Sequence, residues 1–353
     1  MKLTKTILSL AIFLSFIFFS CNINDSNERN LITINSAQIY LINTTTDSLY
    51  NVTAGEQPFF IPNTNKILYR SSDSLFIINF DGTDKKFLTK AYGGSIFLNM
   101  GITLSDNGHY LLYSGGQRAP YDLYLVTINS GQIVNITNSP DRWEGNPHFY
   151  NNSNRIIYSE LVYKGQIGGD YSRLAISSID ISGNSYEKIS PDSADYLYIG
   201  STLDEKYFVM EDFYANKDSS ATIITLINEN DNSIKDTIIF KNQLFSSTPS
   251  VDNSGNFYFC INKNDIYKIN LFTREKTKLY SGYIGDHSSY SSDFKKALFV
   301  SGANLIMLNL QTGHMKTYFN NMGADFGLWY FKFSEDGKYI VVEKTKSEQV
   351  YNY

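Results

Sequence analysis

Hydrophobic and polar positions repeat along this chain as a turn followed at once by a short apolar strand, and the pair occurs seven times. The turns lie at 62–65, 105–108, 151–154, 203–206, 252–255, 292–295 and 334–337, and the strands at 67–69, 110–113, 156–158, 207–210, 257–259, 297–300 and 339–342. Asn107-Gly108 and Asp336-Gly337 have the chemistry of tight hairpins, because asparagine, aspartate and glycine tolerate the positive φ that such turns demand. A third strand follows each time, often alternating apolar with polar residues, at 75–80, 123–128, 174–181, 223–228, 266–271, 305–310 and, near the N-terminus, 39–43. A weaker fourth comes next (86–89, 133–137, 187–190, 237–240, 277–280, 316–319 and 49–53), and its low apolar content suits an outer edge facing solvent.

The chain therefore opens with a third and fourth strand and finishes with a first and second. If 328–343 pairs with 37–53 in one sheet, a ring closes. The expectation is an all-β fold, a seven-bladed β-propeller of four-stranded antiparallel blades, closed by pairing of the N- and C-terminal strands. Successive turns are roughly 40 to 50 residues apart, the length of one blade. An aromatic fraction of 15%, with 27 Tyr and 24 Phe, agrees with strands, whose pleated surfaces accept flat side chains. Charged residues make up only 18% and the net charge is −5, so the basic excess that attracts phosphate backbones is missing and nucleic acid is not an expected partner.

At the N-terminus, Lys2 and Lys5 precede an apolar run at 7–19, and Ser20 stands just before Cys21. The run is too short to span a bilayer comfortably. It resembles a lipoprotein signal peptide, in which the cysteine becomes the lipidated first residue of the mature protein. That resemblance divides the chain into a signal at 1–21 ending at the lipid acceptor, a polar tether at 22–35 and a propeller at 36–353. Asn22 after the cysteine, by resemblance to enterobacterial sorting, argues against retention at the inner membrane. The expected location is the outer membrane of a cell envelope, on its periplasmic or its outer face, with membrane contact through the lipid alone. Cys260 lies in the apolar strand 257–261, which predicts a buried thiol.

Pro147-His148-Phe149, the Ser-Asp-Asn-Gly turn at 105–108, the Ser-Glu-Asp-Gly turn at 334–337, Asp122-Leu123-Tyr124-Leu125-Val126 and Phe87-Leu88-Thr89 together resemble the repeats of TolB-type, WD40-like propellers, as in lipoproteins of Bacteroidota. The resemblance implies a fold more than a function, since the repeat also occurs in periplasmic binding proteins, prolyl oligopeptidase-like peptidases and oligogalacturonate lyases. Peptidase chemistry needs a Gly-x-Ser-x-Gly elbow on an α/β-hydrolase domain, and the chain reaches Tyr353 without one, so that activity is not expected.

In a propeller, the loops joining second to third strands open with those approaching the innermost strands onto one face of the channel. Here the former are long in three consecutive blades, at 114–121, 161–172 and 213–221. They carry Arg118, Tyr121, Tyr163, Tyr171 and Tyr214, and the neighbouring approach loop carries Arg142, Trp143 and Glu144. Aromatic and arginine side chains concentrate at interfaces, so these eight residues form the candidate binding patch, as against mere solvated insertions. The leading expectation is a monomeric, non-catalytic binding module for an envelope protein or glycan, without cofactor. The alternative is a polysaccharide hydrolase or metal-dependent lyase of the oligogalacturonate type acting in the channel. For that, His148 and His287 are the candidate ligands, although two imidazoles are fewer than the three or four donors a transition metal usually takes.

Overall fold

The computed structural model describes residues 31–90, 102–116, 121–150, 153–162, 174–190, 196–202, 206–212, 221–241, 243, 245, 249–285, 287–319 and 326–351. Its strands form seven four-stranded antiparallel sheets, and no helix occurs among the described residues. Residues 35–347 are one unit, and residues 1–34 with 348–353 are another. Blade 1 consists of Glu56–Phe60, Lys66–Ser71, Ser74–Asn79 and Lys86–Lys90, and five further blades follow along the chain in the same order. Their innermost strands are Ile102–Leu104, Arg142–Tyr150, Tyr196–Thr202, Ser250–Val251 and Ser288–Tyr290. Blade 7 is the composite one: its order is Leu49–Ala54, Leu31–Asn43, Tyr339–Tyr351, Phe326–Phe333, so strands from the two ends of the chain are neighbours. Thr44 adds to the closure, donating its N–H to the Lys338 carbonyl at 2.8 Å and its hydroxyl to that of Gly337 at 3.0 Å.

In three of the hairpins one serine satisfies both sides of the turn. In blade 2 the Ser105 hydroxyl donates to Asn107 Oδ1 at 2.7 Å and accepts the Tyr110 N–H at 2.9 Å. Ser291 with Asp293 and Lys296, and Ser334 with Asp336 and Tyr339, repeat the arrangement. These side chains supply the partners that the turning backbone lacks. Beyond each turn, the second strand is sandwiched between strands of its own sheet and faced by neighbouring blades. Tyr69, Tyr113, Tyr158, Met210, Phe259, Phe299 and Val342, at one equivalent position, are all buried. The cores are thus seams between blades, such as the one joining Phe59, Ile61 and Leu68 of blade 1 to Ile102, Leu111 and Tyr113 of blade 2. Cys260 is buried within the seam containing Ile284 and Phe299.

A second device links neighbours near the rim. The turn between third and fourth strands of blade 2 presses Gly131 onto the outer strand of blade 1, and that of blade 3 presses Gly183 onto blade 2. A Cβ on Gly131 would lie 2.2 Å from the Leu88 carbonyl oxygen, and one on Gly183 2.7 Å from that of Ile136. Both glycines also have positive φ, of 72° and 82°, so any side chain meets two objections there. Blade 4 uses Asn232 instead, whose amide donates to Glu187 Oε1 at 2.9 Å and to the Lys188 carbonyl at 3.4 Å on blade 3.

Candidate functional site

The second strand of blade 3 ends, and its innermost strand begins, against blade 2. The register pairs Arg142 with Val162, Trp143 with Leu161 and Glu144 with Glu160. Alternation then turns Arg142, Glu144, Tyr158 and Glu160 onto one face, toward blade 2. Both glutamates are 1% exposed.

Glu144 was expected at the surface from its place in an approach loop, and the structure instead folds it inward. Its N–H donates to the Tyr121 carbonyl at 2.9 Å, and its own carbonyl accepts the Ser114 hydroxyl. Its carboxyl accepts hydroxyls from Thr137 at 3.1 Å and from Ser139. Burial pushes the Glu144 carboxyl up to about 8, with the charges of Asp122 and Glu160 adding and the Ser139 and Thr137 hydrogen bonds opposing. Glu160 is held differently, by Arg142 Nη1 at 3.2 Å, the Tyr186 hydroxyl at 2.8 Å and Lys188 Nζ at 4.0 Å. The Arg142 guanidinium also lies 5.3 Å from the Tyr186 ring centre, and the rings of Tyr121 and Trp143 meet edge to face at 6.3 Å. Gly145 leaves room for that indole, since a Cβ there would stand 3.2 Å from it.

The structure therefore brings four of the predicted residues, Tyr121, Arg142, Trp143 and Glu144, into one cluster. It adds Glu160, Tyr186 and Lys188, which the sequence reading did not single out. Arg118, Tyr163, Tyr171 and Tyr214 lie outside the described residues.

The two candidate metal ligands sit in different surroundings. His148 packs its ring on Tyr198, centroids 5.1 Å apart, and burial holds its imidazole down to about 4, with the positive charge of Lys332 adding. His287 is exposed, immediately before the innermost strand of blade 6. Gln57, on the innermost strand of blade 1, gives its N–H to Glu343 Oε2 at 2.7 Å. Burial pushes that carboxyl up to about 7.

No protein-family model matches the chain, and no curated protein matches it. Solved structures do. An oligogalacturonate lyase in complex with manganese superposes with a TM-score of 0.64 at 13% identity, covering 90% of this chain and 98% of that one. The likeness is one of fold. An oligogalacturonate lyase from Vibrio parahaemolyticus gives 0.61 at 12% identity, with 90% and 98% covered. TolB from Acinetobacter baumannii gives 0.44 at 14%, with 97% and 69% covered.

Manganese, which the first of these structures contains, does not suit the residues described here. Among them no three His, Cys, Asp or Glu side chains come together as donors. The charge acting on His148 is moreover that of an ammonium, Lys332, which opposes a second cation.

The perturbed carboxyls give stability a pH dependence whose sign is fixed. A carboxyl raised in the fold binds more protons folded than unfolded between its two values, so its contribution is lost as pH rises through that window. Glu144 at about 8, with Glu211 and Glu343 each at about 7 through burial, all act in this direction above the ordinary carboxylate range. Glu144→Gln is expected to leave stability near pH 5 unchanged and to raise it by roughly 2–4 kcal/mol at pH 8.5. Denaturant titrations across that range measure the effect, and a decline as steep as in the wild type contradicts the assignment.

Proposed function

We propose that this chain is a lipid-anchored protein of the cell envelope whose propeller is a non-catalytic binding module, with an envelope protein or glycan as its partner. The observation that carries the reading is the cluster at blades 2 and 3. Arg142, Trp143, Tyr121 and Tyr186 stand partly open to solvent on a frame whose carboxyls are engaged internally. Such a frame fixes the orientation of the side chains in advance, and aromatic and guanidinium groups give large contact area at low entropic cost. The apolar run at 7–19 ahead of Cys21 supports the anchor, and Asn22 supports delivery to the outer membrane.

Cross-linking in intact cells tests both parts. Trp143→Ala combined with Tyr121→Ala is expected to lower the yield of the trapped partner about tenfold. Phe87→Ala, on the outer strand of blade 1, is expected to leave it unchanged, and Cys21→Ala to move the chain out of the membrane fraction. Arg142 is kept intact because Glu160 depends on it. Equal trapping by the Trp143 and Tyr121 variant removes this face from consideration, and membrane retention of Cys21→Ala removes the anchor.

A further inference from the structure

The innermost strands share one register, and that register defines a layer of the central channel. The residue two places before each hairpin is Phe59 in blade 1, paired with Leu68, then Thr103 with Leu112, His148 with Ile157 and Gly200 with Val209. Ser250 with Tyr258, Ser289 with Leu298 and Lys332 with Val341 complete the ring. All but Phe59 are at least partly accessible to solvent, as channel-lining positions must be. The layer contains hydroxyls, one imidazole, one ammonium and no carboxylate.

Lys332 is the unusual member. It stands on blade 7, with its Nζ 5.1 Å from the Phe59 ring centre of blade 1 and 5.4 Å from that of Tyr330. Its positive charge opposes protonation of His148, which holds the equivalent register position on blade 3. Among the described residues no carboxylate lies within ion-pair distance of it. The carboxyl of Glu343 on the adjoining strand is turned instead to the Gln57 N–H. Contact with two aromatic rings compensates an ammonium only in part, by about 0.5–2 kcal/mol each. The wall around it holds Lys332 below the ordinary lysine value, although its side chain stays open to the channel. A cation that opens onto the channel without a carboxylate partner can take an anion from solution, and the surrounding low-dielectric wall focuses its field there.

We propose that this layer is a carboxylate-binding subsite, with Lys332 as the charged anchor and the hydroxyls of Thr103, Ser250 and Ser289 within the same ring as donors to a ligand carboxylate. The neutral imidazole of His148 can offer one further N–H, and the aromatic rings flank the ammonium. The subsite is independent of the rim at blades 2 and 3, so either can fail alone.

Two sources present a carboxylate of this size, an acidic sugar and the C-terminus of a peptide. NMR titration of the full chain in detergent with glucuronate and with acetyl-alanyl-alanine separates them. Glucuronate methyl ester and the peptide amide serve as the uncharged counterparts. At least one carboxylate probe is expected to saturate, and its neutral counterpart to bind at least about tenfold more weakly. Lys332→Met is expected to weaken the charged probe by a similar factor, and Lys332→Arg to retain it. Unfolding midpoints of both variants at or above the wild-type value certify the ring. Saturation by neither carboxylate probe, equal binding of charged and neutral forms, or undiminished binding by Lys332→Met overturns the proposal.

Discussion

A chain truncated after Phe333 is expected not to fold. Truncation removes Tyr339–Tyr351, the strand that lies between Phe326–Phe333 and Leu31–Asn43 in blade 7. Ile340, Val341 and Val342 are each fully buried on that strand, and they cover Ile39, Leu41 and Ile42 on the N-terminal strand. Burying one such side chain contributes about 1.5–3 kcal/mol, so these three alone approach the 5–15 kcal/mol that typically separates folded from unfolded protein. The N-terminal strand would also lose its hydrogen-bonding neighbour, exposing a long row of unpaired backbone groups at an edge. Circular dichroism with thermal unfolding measures the outcome. A cooperative transition near the wild-type midpoint would show that the ring does not depend on its composite blade.

The second large effect belongs to Arg142. Glu160 is 1% exposed, and its strongest neighbour is the guanidinium at 3.2 Å. Removing one partner of a buried pair leaves an uncompensated charge, which costs about 3–5 kcal/mol. Lys188 at 4.0 Å and the Tyr186 hydroxyl remain, which places Arg142→Ala near the low end, about 3 kcal/mol at pH 7. Glu160→Gln is expected to cost less, because the Arg142 side chain is 37% exposed and its freed charge can turn to water. Urea titration of both variants at pH 7 fixes their order. Loss within 0.5 kcal/mol of wild type for Arg142→Ala would mean that Lys188 and Tyr186 carry Glu160 unaided.

The ring and its closure were legible in the sequence because both are written in local chemistry. Turns such as Ser105–Gly108 and the apolar run that follows report directly on hairpins, and the half-blades at the two ends imply each other. What was not legible depends on which face of a strand meets which neighbour. Trp143-Glu144-Gly145 looks like an exposed loop until Glu144 is paired with Glu160 and faced by Ser139 and Thr137 of the preceding blade. Tyr186 and Lys188 belong to a short outer strand region with little apolar pattern, so nothing local points to their role beside Glu160. Lys332 sits in an apolar strand, Leu328-Trp329-Tyr330-Phe331-Lys332-Phe333, where a lysine resembles an ordinary solvated residue. Only the shared register of seven innermost strands, several interrupted by bulges such as those at Gly145/His148 and Leu328/Tyr330, shows that it shares a layer with His148.

The glycine contacts at Gly131 and Gly183 have a consequence for how such a molecule changes over time. Blades 2, 3 and 4 each carry, in their own sequence, the feature that grips the blade before them, so the gripping surface travels with the segment that encodes it. Duplicating one whole segment would insert a member already equipped on both sides, whereas a break inside a segment would leave one side bare. Growth or loss by complete units is therefore the change this architecture tolerates, with the composite seventh sheet as the clasp that any new circumference must still meet.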